Sequence, residues 1–155
     1  MPLDKQDHTA LTLWAVDCAE HVLAHFEAER PDDDRPRKAV EAGRAWARGE
    51  ITMAAARTAA FASHAAAREA GQAAARAAAR AAGHAAATAH VPTHAQHAAT
   101  YAVNAATYAG AAVQVSAEQA TAYAVAPSDA GATERAWQVG HLPEHLRAAA
   151  FPAKG

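Results

Sequence analysis

The sequence predicts an all-α fold, a bundle of about six to eight helices in one domain over residues 1–155, and three observations support this. Alanine fills 31 of the 62 positions from 51 to 112, and no residue has a higher helix propensity. β-Branched and aromatic residues are too sparse for a sheet, and no apolar–polar alternation of four or more is present. Polar and aromatic residues recur instead at helical spacing, as in His94, His97, Tyr101, Asn104 and Tyr108, which share one face of a helix.

Punctuation residues set the boundaries. Residues 1–8 read as a flexible N-terminus, and the first helix runs from Thr9 to Arg30-Pro31, where proline restricts the residue before it. Pro31-Asp32-Asp33-Asp34 caps the second helix, with Pro36 in its first turn and Gly49 as its stop. Thr52 caps a third helix ending at Ala70-Gly71. The fourth covers Gln72 to Ala89 and stops before Val91-Pro92. Thr93 caps a fifth, which ends at Gly110. A sixth spans Ser116 to Ala126, residues 127–132 form a loop, and short helices broken at Pro143 occupy 133–150.

An alanine-faced helix can approach its neighbours closely, so the expected core is thin and large side chains are its plugs or the walls of a pocket. Trp14, Phe26, Trp46, Phe61 and Trp137 are the expected plugs. The stripe on the fifth helix lies where leucine or valine would ordinarily face a neighbour. The first helix repeats the spacing with Leu11, Trp14, Cys18, His21 and His25, and the third with Arg57, Phe61, His64 and Arg68. Three helices thus direct histidine toward the expected interior. Either these groups satisfy one another in a polar core, or they line a cavity that holds a ligand.

Charge is partitioned along the chain. Residues 1–34 hold two basic and nine acidic groups, whereas 35–80 hold nine basic and three acidic. The acidic first helix is therefore expected to lie against the basic second and third helices; Gln72, Arg76 and Arg80 share one ridge that could take a carboxylate or phosphate of a ligand or the acidic face of the first helix, and pairing within the chain is the favoured reading. A net charge of −2 without a dominant basic patch argues against a nucleic-acid partner. No segment reaches the length and apolarity of a membrane span and no signal peptide opens the chain, so a cytoplasmic protein without membrane contact is expected. The single cysteine, Cys18, allows no internal disulfide.

The titratable stripes suggest acid–base chemistry without a metal or cofactor. His21 is the candidate general base, with Asp17 one turn earlier as its orienting partner. Tyr101, Asn104 and Tyr108 are candidate oxyanion donors or substrate contacts. Trp14, Cys18, His25, His64, His84, His94 and His97 would line the rest of the pocket. His21 and His25 also stand at the i, i+4 spacing of two metal-bound imidazoles, but the spacing is common by chance in a chain with ten histidines, and no metal ligands are assigned.

Four runs carry a further resemblance. They are Leu13-Trp14-Ala15-Val16-Asp17-Cys18-Ala19-Glu20-His21, Asp33-Asp34-Arg35-Pro36-Arg37-Lys38-Ala39, Gly83-His84-Ala85-Ala86-Ala87-Thr88-Ala89-His90 and Trp137-Gln138-Val139-Gly140-His141-Leu142-Pro143-Glu144. The chain resembles small all-α bacterial immunity proteins, the antidotes of polymorphic toxin systems. The resemblance implies a helical fold and a toxin partner, and carries over no catalytic or contact residues. It departs from one expectation, because antidotes to nucleases commonly present an acidic face, whereas the acidic segment here precedes a basic one that matches it.

Two functional readings follow. The first is a small enzyme of cyclase, isomerase or lyase type acting on a hydrophobic small molecule within the bundle; the alternative is an immunity protein that binds and neutralises a toxin. A helical domain whose histidines only satisfy one another is the third possibility. Pairing into a homodimer is compatible with so thin a core.

Overall fold

The computed structural model describes residues 3–118 and 128–154. The described residues form α1 (Lys5–Val22), α2 (Ala24–Glu29), α3 (Arg35–Ala47), α4 (Met53–Glu69), α5 (Ala73–Ala87), α6 (His94–Glu118), α7 (Ser128–Gly140), a 3-10 turn (Glu144–Leu146) and α8 (Arg147–Ala150). The fold is all-α, as the composition predicts.

Helix α5 is the centre of the bundle. It contacts α1, α2, α3, α4 and α6, and Ala75, Ala77, Ala78, Ala79, Ala81, Ala82, Ala85 and Ala86 are all buried. A helix with methyl groups on nearly every side can be surrounded closely, at the lower end of the roughly 8–10 Å range of interaxial distances. The neighbours answer in kind. On α4 the buried face is Ala56, Ala60, Ser63, Ala66 and Ala67, and on α6 it includes Ala95, Ala98, Ala99, Ala102 and Ala105. The Ser63 hydroxyl donates to the Ala79 carbonyl at 2.8 Å and so ties α4 to α5.

Larger side chains fill the seam around α1. Leu11, Trp14, Val16, Cys18, Val22, Leu23, Phe26 and Val40 are buried together. Trp14 and Phe26 are plugs as expected, while Trp46 and Trp137 are half-buried and Phe61 is 60% exposed. Phe61 lies outside because alanine already fills the inward face of α4, and a phenyl ring there would force α5 away. The same reason moves the His94–Tyr108 stripe off the buried face of α6 to its margin, where His97 and Tyr108 are exposed and His94, Tyr101 and Asn104 half-buried.

Several boundaries differ from expectation for local reasons. Residues 3–8 are not a loose tail. The Asp4 carboxylate accepts from the Asp7 amide at 2.8 Å and starts α1 at Lys5, and His8 Nε2 donates to the Thr88 carbonyl at 2.6 Å. Thr9 is not a cap, since its hydroxyl donates back to the Lys5 carbonyl. The helix expected from Thr9 to Arg30 tightens at Leu23, whose amide bonds three residues back to Glu20, and α2 continues beyond it. Asp33 rather than Asp34 receives the Arg35 amide at the start of α3. Thr52 caps α4 as expected, accepting from the Ala55 amide.

Gly110 does not end α6, because alanine on both sides sustains the helix, and 116–118 belong to this helix rather than to a separate sixth one. The rest of that expected helix, and residue 127 of the expected 127–132 loop, lie outside the described residues. From Ser128 the chain is helix instead of loop. Gly131 is a contact residue, since an added Cβ would collide with the Thr107 hydroxyl of α6. Gln138 then fixes α7 to two helices. Its side-chain nitrogen donates to the Ala99 carbonyl at 2.9 Å and its own carbonyl accepts from the Trp14 indole at 2.8 Å.

The acidic-to-basic expectation holds for α3. Arg44 pairs with Asp17 at 3.2 Å and with Glu20, Arg37 with Glu27 at 2.6 Å and Glu20 at 3.7 Å, Arg35 with Asp33 and Glu69, and Lys38 with Asp34. It does not hold for α4 and α5. Arg57, Arg68, Arg76 and Arg80 have no ion-pair partner among the described residues: Glu69 of α4 is taken by Arg35, and Glu29 accepts from the Gly71 and Gln72 amides at the start of α5.

Gly43 sets the approach of α3 to α1. An added Cβ would lie 2.5 Å from the Val16 Cγ2, and valine, stiff at χ1 and fully buried, cannot turn away. Gly43→Ala is expected to lower the unfolding free energy by about 1–2 kcal/mol in urea denaturation, overpacking outweighing the gain of up to about 1 kcal/mol in helix propensity. A more stable variant would show that the helices can separate at no cost.

Candidate functional site

Helices α4, α5 and α6 bring five of the expected residues together. His84 on α5 is the hub. Its ring centroid is 4.8 Å from that of His64 on α4, edge to face, and 5.2 and 5.3 Å from those of His94 and His97 on α6. On Tyr101 it stacks at 5.3 Å with the planes 8° apart. The His84 and His94 Nδ1 atoms are 3.0 Å apart, so one carries the proton and donates to the other.

Gly83 makes room for this cluster. A Cβ at that position would meet three atoms of the His64 ring at 2.6–2.8 Å, so only glycine lets the imidazole lie flat on α5. The His64 Nδ1 is buried without a hydrogen-bond partner among the described residues. Burial is the main force on the acid–base behaviour of the cluster, followed by neighbouring positive charge. It pushes the His64 pKa down to about 4, with Arg80 the next contributor, and that of His84 to about 3, with His64 and His94 next. His94 is also lowered, by burial and then by His97. These three imidazoles are therefore neutral at pH 7. Among the described residues no three metal-ligating side chains are placed to hold an ion.

Tyr101 links the cluster to a cleft of about 310 Å³ between α5 and α6. Arg76 and Arg80 face it from α5 and Tyr101, Asn104 and Tyr108 from α6, over Ala73 and Ala77. Arg76 donates to the Ala70 and Gly71 carbonyls and so remains near the start of its helix. Arg80 has no such tie among the described residues. The intramolecular pairing expected for these arginines is not made.

The candidate general base lies elsewhere. His21 is 42% exposed, and its Nδ1 pairs with Glu134, a carboxylate that is only 6% exposed, at 2.8 Å. Its ring stacks on Trp137 at 3.8 Å, and Trp137 stacks in turn on His141. Asp17 does not orient His21, because it pairs with Arg44 across the groove. That groove, about 410 Å³ and open to solvent, is lined by Asp17, Glu20, His21, Arg44 and Trp137. His21 and Asp17 are thus not combined with Tyr101, which belongs to the α5–α6 cleft. The enclosed pocket expected within the bundle is not what these residues line, since alanine packing fills the interior and both stripes border open clefts.

Trp14 and Cys18 are core residues. Trp14 is held by its bond to Gln138 and an edge contact with Phe151. The Cys18 thiol is fully buried, and desolvation, then the Glu134 charge, pushes its pKa far above the ordinary thiol value, which makes it a poor nucleophile. His25 lies half-buried on α2, past the tightened turn. The sequence reading missed Glu134 and Gly83, took Trp137 for a core plug, and favoured pairing within the chain for Arg80. Of the two missed residues only Gly83 had a local signal, as an isolated glycine in an alanine helix commonly marks a close approach.

Residues 1–145 match the family described as Imm-5 like putative immunity protein. The chain belongs to this family. The resemblance carried by the Trp14–His21 and Gly83–His90 runs is therefore borne out, and those two runs hold the α1 core seam and the imidazole hub. Neither curated proteins nor solved structures yield a match to the chain. Among the described residues no helix is long and apolar enough to cross a membrane.

The imidazoles give a defined pH dependence. His64 and His84 ionise near 6.5 when unfolded and at about 4 and about 3 when folded, so the unfolded chain binds more protons between those limits. Stability is full above about 6.5 and falls as the pH drops toward 4. The melting temperature of the double variant His64→Gln, His84→Gln should decline less between pH 7 and 4.5 than that of the parent. Equal slopes, with imidazole NMR midpoints near 6.5, would refute the burial of these rings.

Proposed function

We propose that this protein is an immunity protein that binds and neutralises a toxin, and that it meets the toxin through α4, α5 and α6. Family membership over residues 1–145 supports the class of function. The observation that carries the choice of face is the segregation of charge. The cations of α3 are consumed by the acidic groups of the first 34 residues and by Glu69, whereas Arg57, Arg68 and Arg80 remain unpaired among the described residues.

The same helices expose apolar and aromatic groups. Phe61 is 60% exposed and covered on one side by the Arg57 guanidinium at 5.3 Å. Met53 and Tyr108 are also exposed. Arginine, methionine and aromatic side chains are the types enriched at protein interfaces. A partner fitting this face presents carboxylates, the opposite polarity from an acidic antidote that blocks a nucleic-acid cleft. The small-molecule enzyme reading has less support, since its base and its oxyanion donors belong to separate clefts open to water.

Co-purification with the products of adjacent genes tests the reading. A toxin should be retained by the parent protein, and Arg57→Glu with Arg68→Glu should slow association by about tenfold or more at low salt, with the difference shrinking as salt is added. Undiminished association would remove α4 from the interface, and failure of the parent to bind any neighbouring product would overturn the immunity reading.

A further inference from the structure

We propose that the cleft between α5 and α6 is a binding site for an oxyanion, a carboxylate or a phosphate, held by Arg80 with Arg76 and by hydrogen bonds from Tyr101, Asn104 and Tyr108. This site does not depend on the toxin reading.

The lining consists of donors. Two guanidinium groups one helical turn apart face two phenols and an amide across a space of about 310 Å³, and no carboxylate lines it. A guanidinium offers a planar fork that matches two oxygens of a carboxylate or phosphate. Arg80 is half-buried and among the described residues has neither an ion pair nor a hydrogen bond. Tyr101, Asn104 and Tyr108 likewise have no side-chain hydrogen-bond partner among the described residues. Two guanidinium groups, with two hydroxyls and an amide free to donate and no carboxylate to answer them, are complementary to an anion, and a cation withdrawn in part from water gains most from one.

A second feature comes from the neighbouring imidazoles. Arg80 is among the charges that disfavour protonation of His64 and His84. Arg68 from α4 and His94 and His97 from α6 are the other cationic or titratable groups around them, and none brings a negative charge. An anion on Arg80 would therefore relieve the imidazoles, and its binding should raise their titration midpoints. An ion resting on exposed Arg68 would act on His64, whereas Arg80 is the arginine that acts on His84, so the His84 midpoint separates the two.

The test is a titration of isotope-labelled protein with inorganic phosphate, with glutarate and with a hexaglutamate peptide, at ionic strength held constant with sodium chloride and read by NMR. Saturable shifts at Arg80, Tyr101, Asn104 and Tyr108, an upward move of the His84 midpoint, and at least tenfold weaker binding in Arg80→Gln are expected. Asn104→Ala, which leaves both arginines in place, should weaken binding less. Tighter binding of the peptide than of glutarate identifies an acidic protein segment as the source of the anion, and the reverse identifies a free small anion; either supports the site. Shifts that chloride reproduces, or undiminished binding in a folded Arg80→Gln variant, would overturn it.

Discussion

Close approach of alanine-faced helices is the constraint on which this structure depends. Once α5 presents methyl groups to five neighbours, the interior has little volume for other side chains, and its stability comes from many small contacts at high packing density. Polar and aromatic residues are displaced to the seams between helices. This displacement creates both clefts and the imidazole cluster, and glycine at 43, 83 and 131 marks places where even a methyl group would collide.

Charge follows from the same geometry. The acidic first segment and α3 face one another and neutralise, and Glu69 of α4 is also taken by Arg35, which leaves Arg57, Arg68 and Arg80 without an ion pair among the described residues. Surface ion pairs of the α3 kind contribute little stability each. Their larger effect is on the field, because they leave Arg57, Arg68 and Arg80 as cations without an ion pair among the described residues, on the helices that also carry Phe61, Tyr108 and the α5–α6 cleft. Positive charge left uncompensated on these helices favours encounter with an acidic partner in one orientation.

The fold was legible because alanine, capping residues and proline act locally. Thr52 and Pro36 do what their positions in the sequence suggest. Two kinds of signal misled. Asp4 and Thr9 are both capping types, but the Asp4 carboxylate takes the Asp7 amide and starts the helix, while Thr9 bonds back to the Lys5 carbonyl and the contact of His8 with Thr88 holds this first turn against the bundle. Gly131 reads as a loop residue beside Pro127 and Ser128, yet it permits α7 to lie against α6. The site was legible in part. The 3-4 spacing of His94, His97 and Tyr101 identified one side of the cluster, and His64 and His84 join it across α4 and α5. The assumption that such a stripe faces the core failed, because alanine supplied a second stripe that packs better. Glu134 replaced Asp17 as the partner of His21, a pairing across 113 residues that periodicity could not indicate.

The proposed working face is the displaced polar seam on α4, α5 and α6, not the groove lined by His21, Asp17 and Arg44. Hydrogen exchange of the protein with and without its bound toxin tests it most directly, because protection maps the covered helices in a single experiment. The account predicts slowed exchange at the exposed ends of α4 and along α6 from His94 to Tyr108, with α1 and α3 unchanged. Protection confined to α1, α3 and α7 around His21 and Arg44 would contradict it.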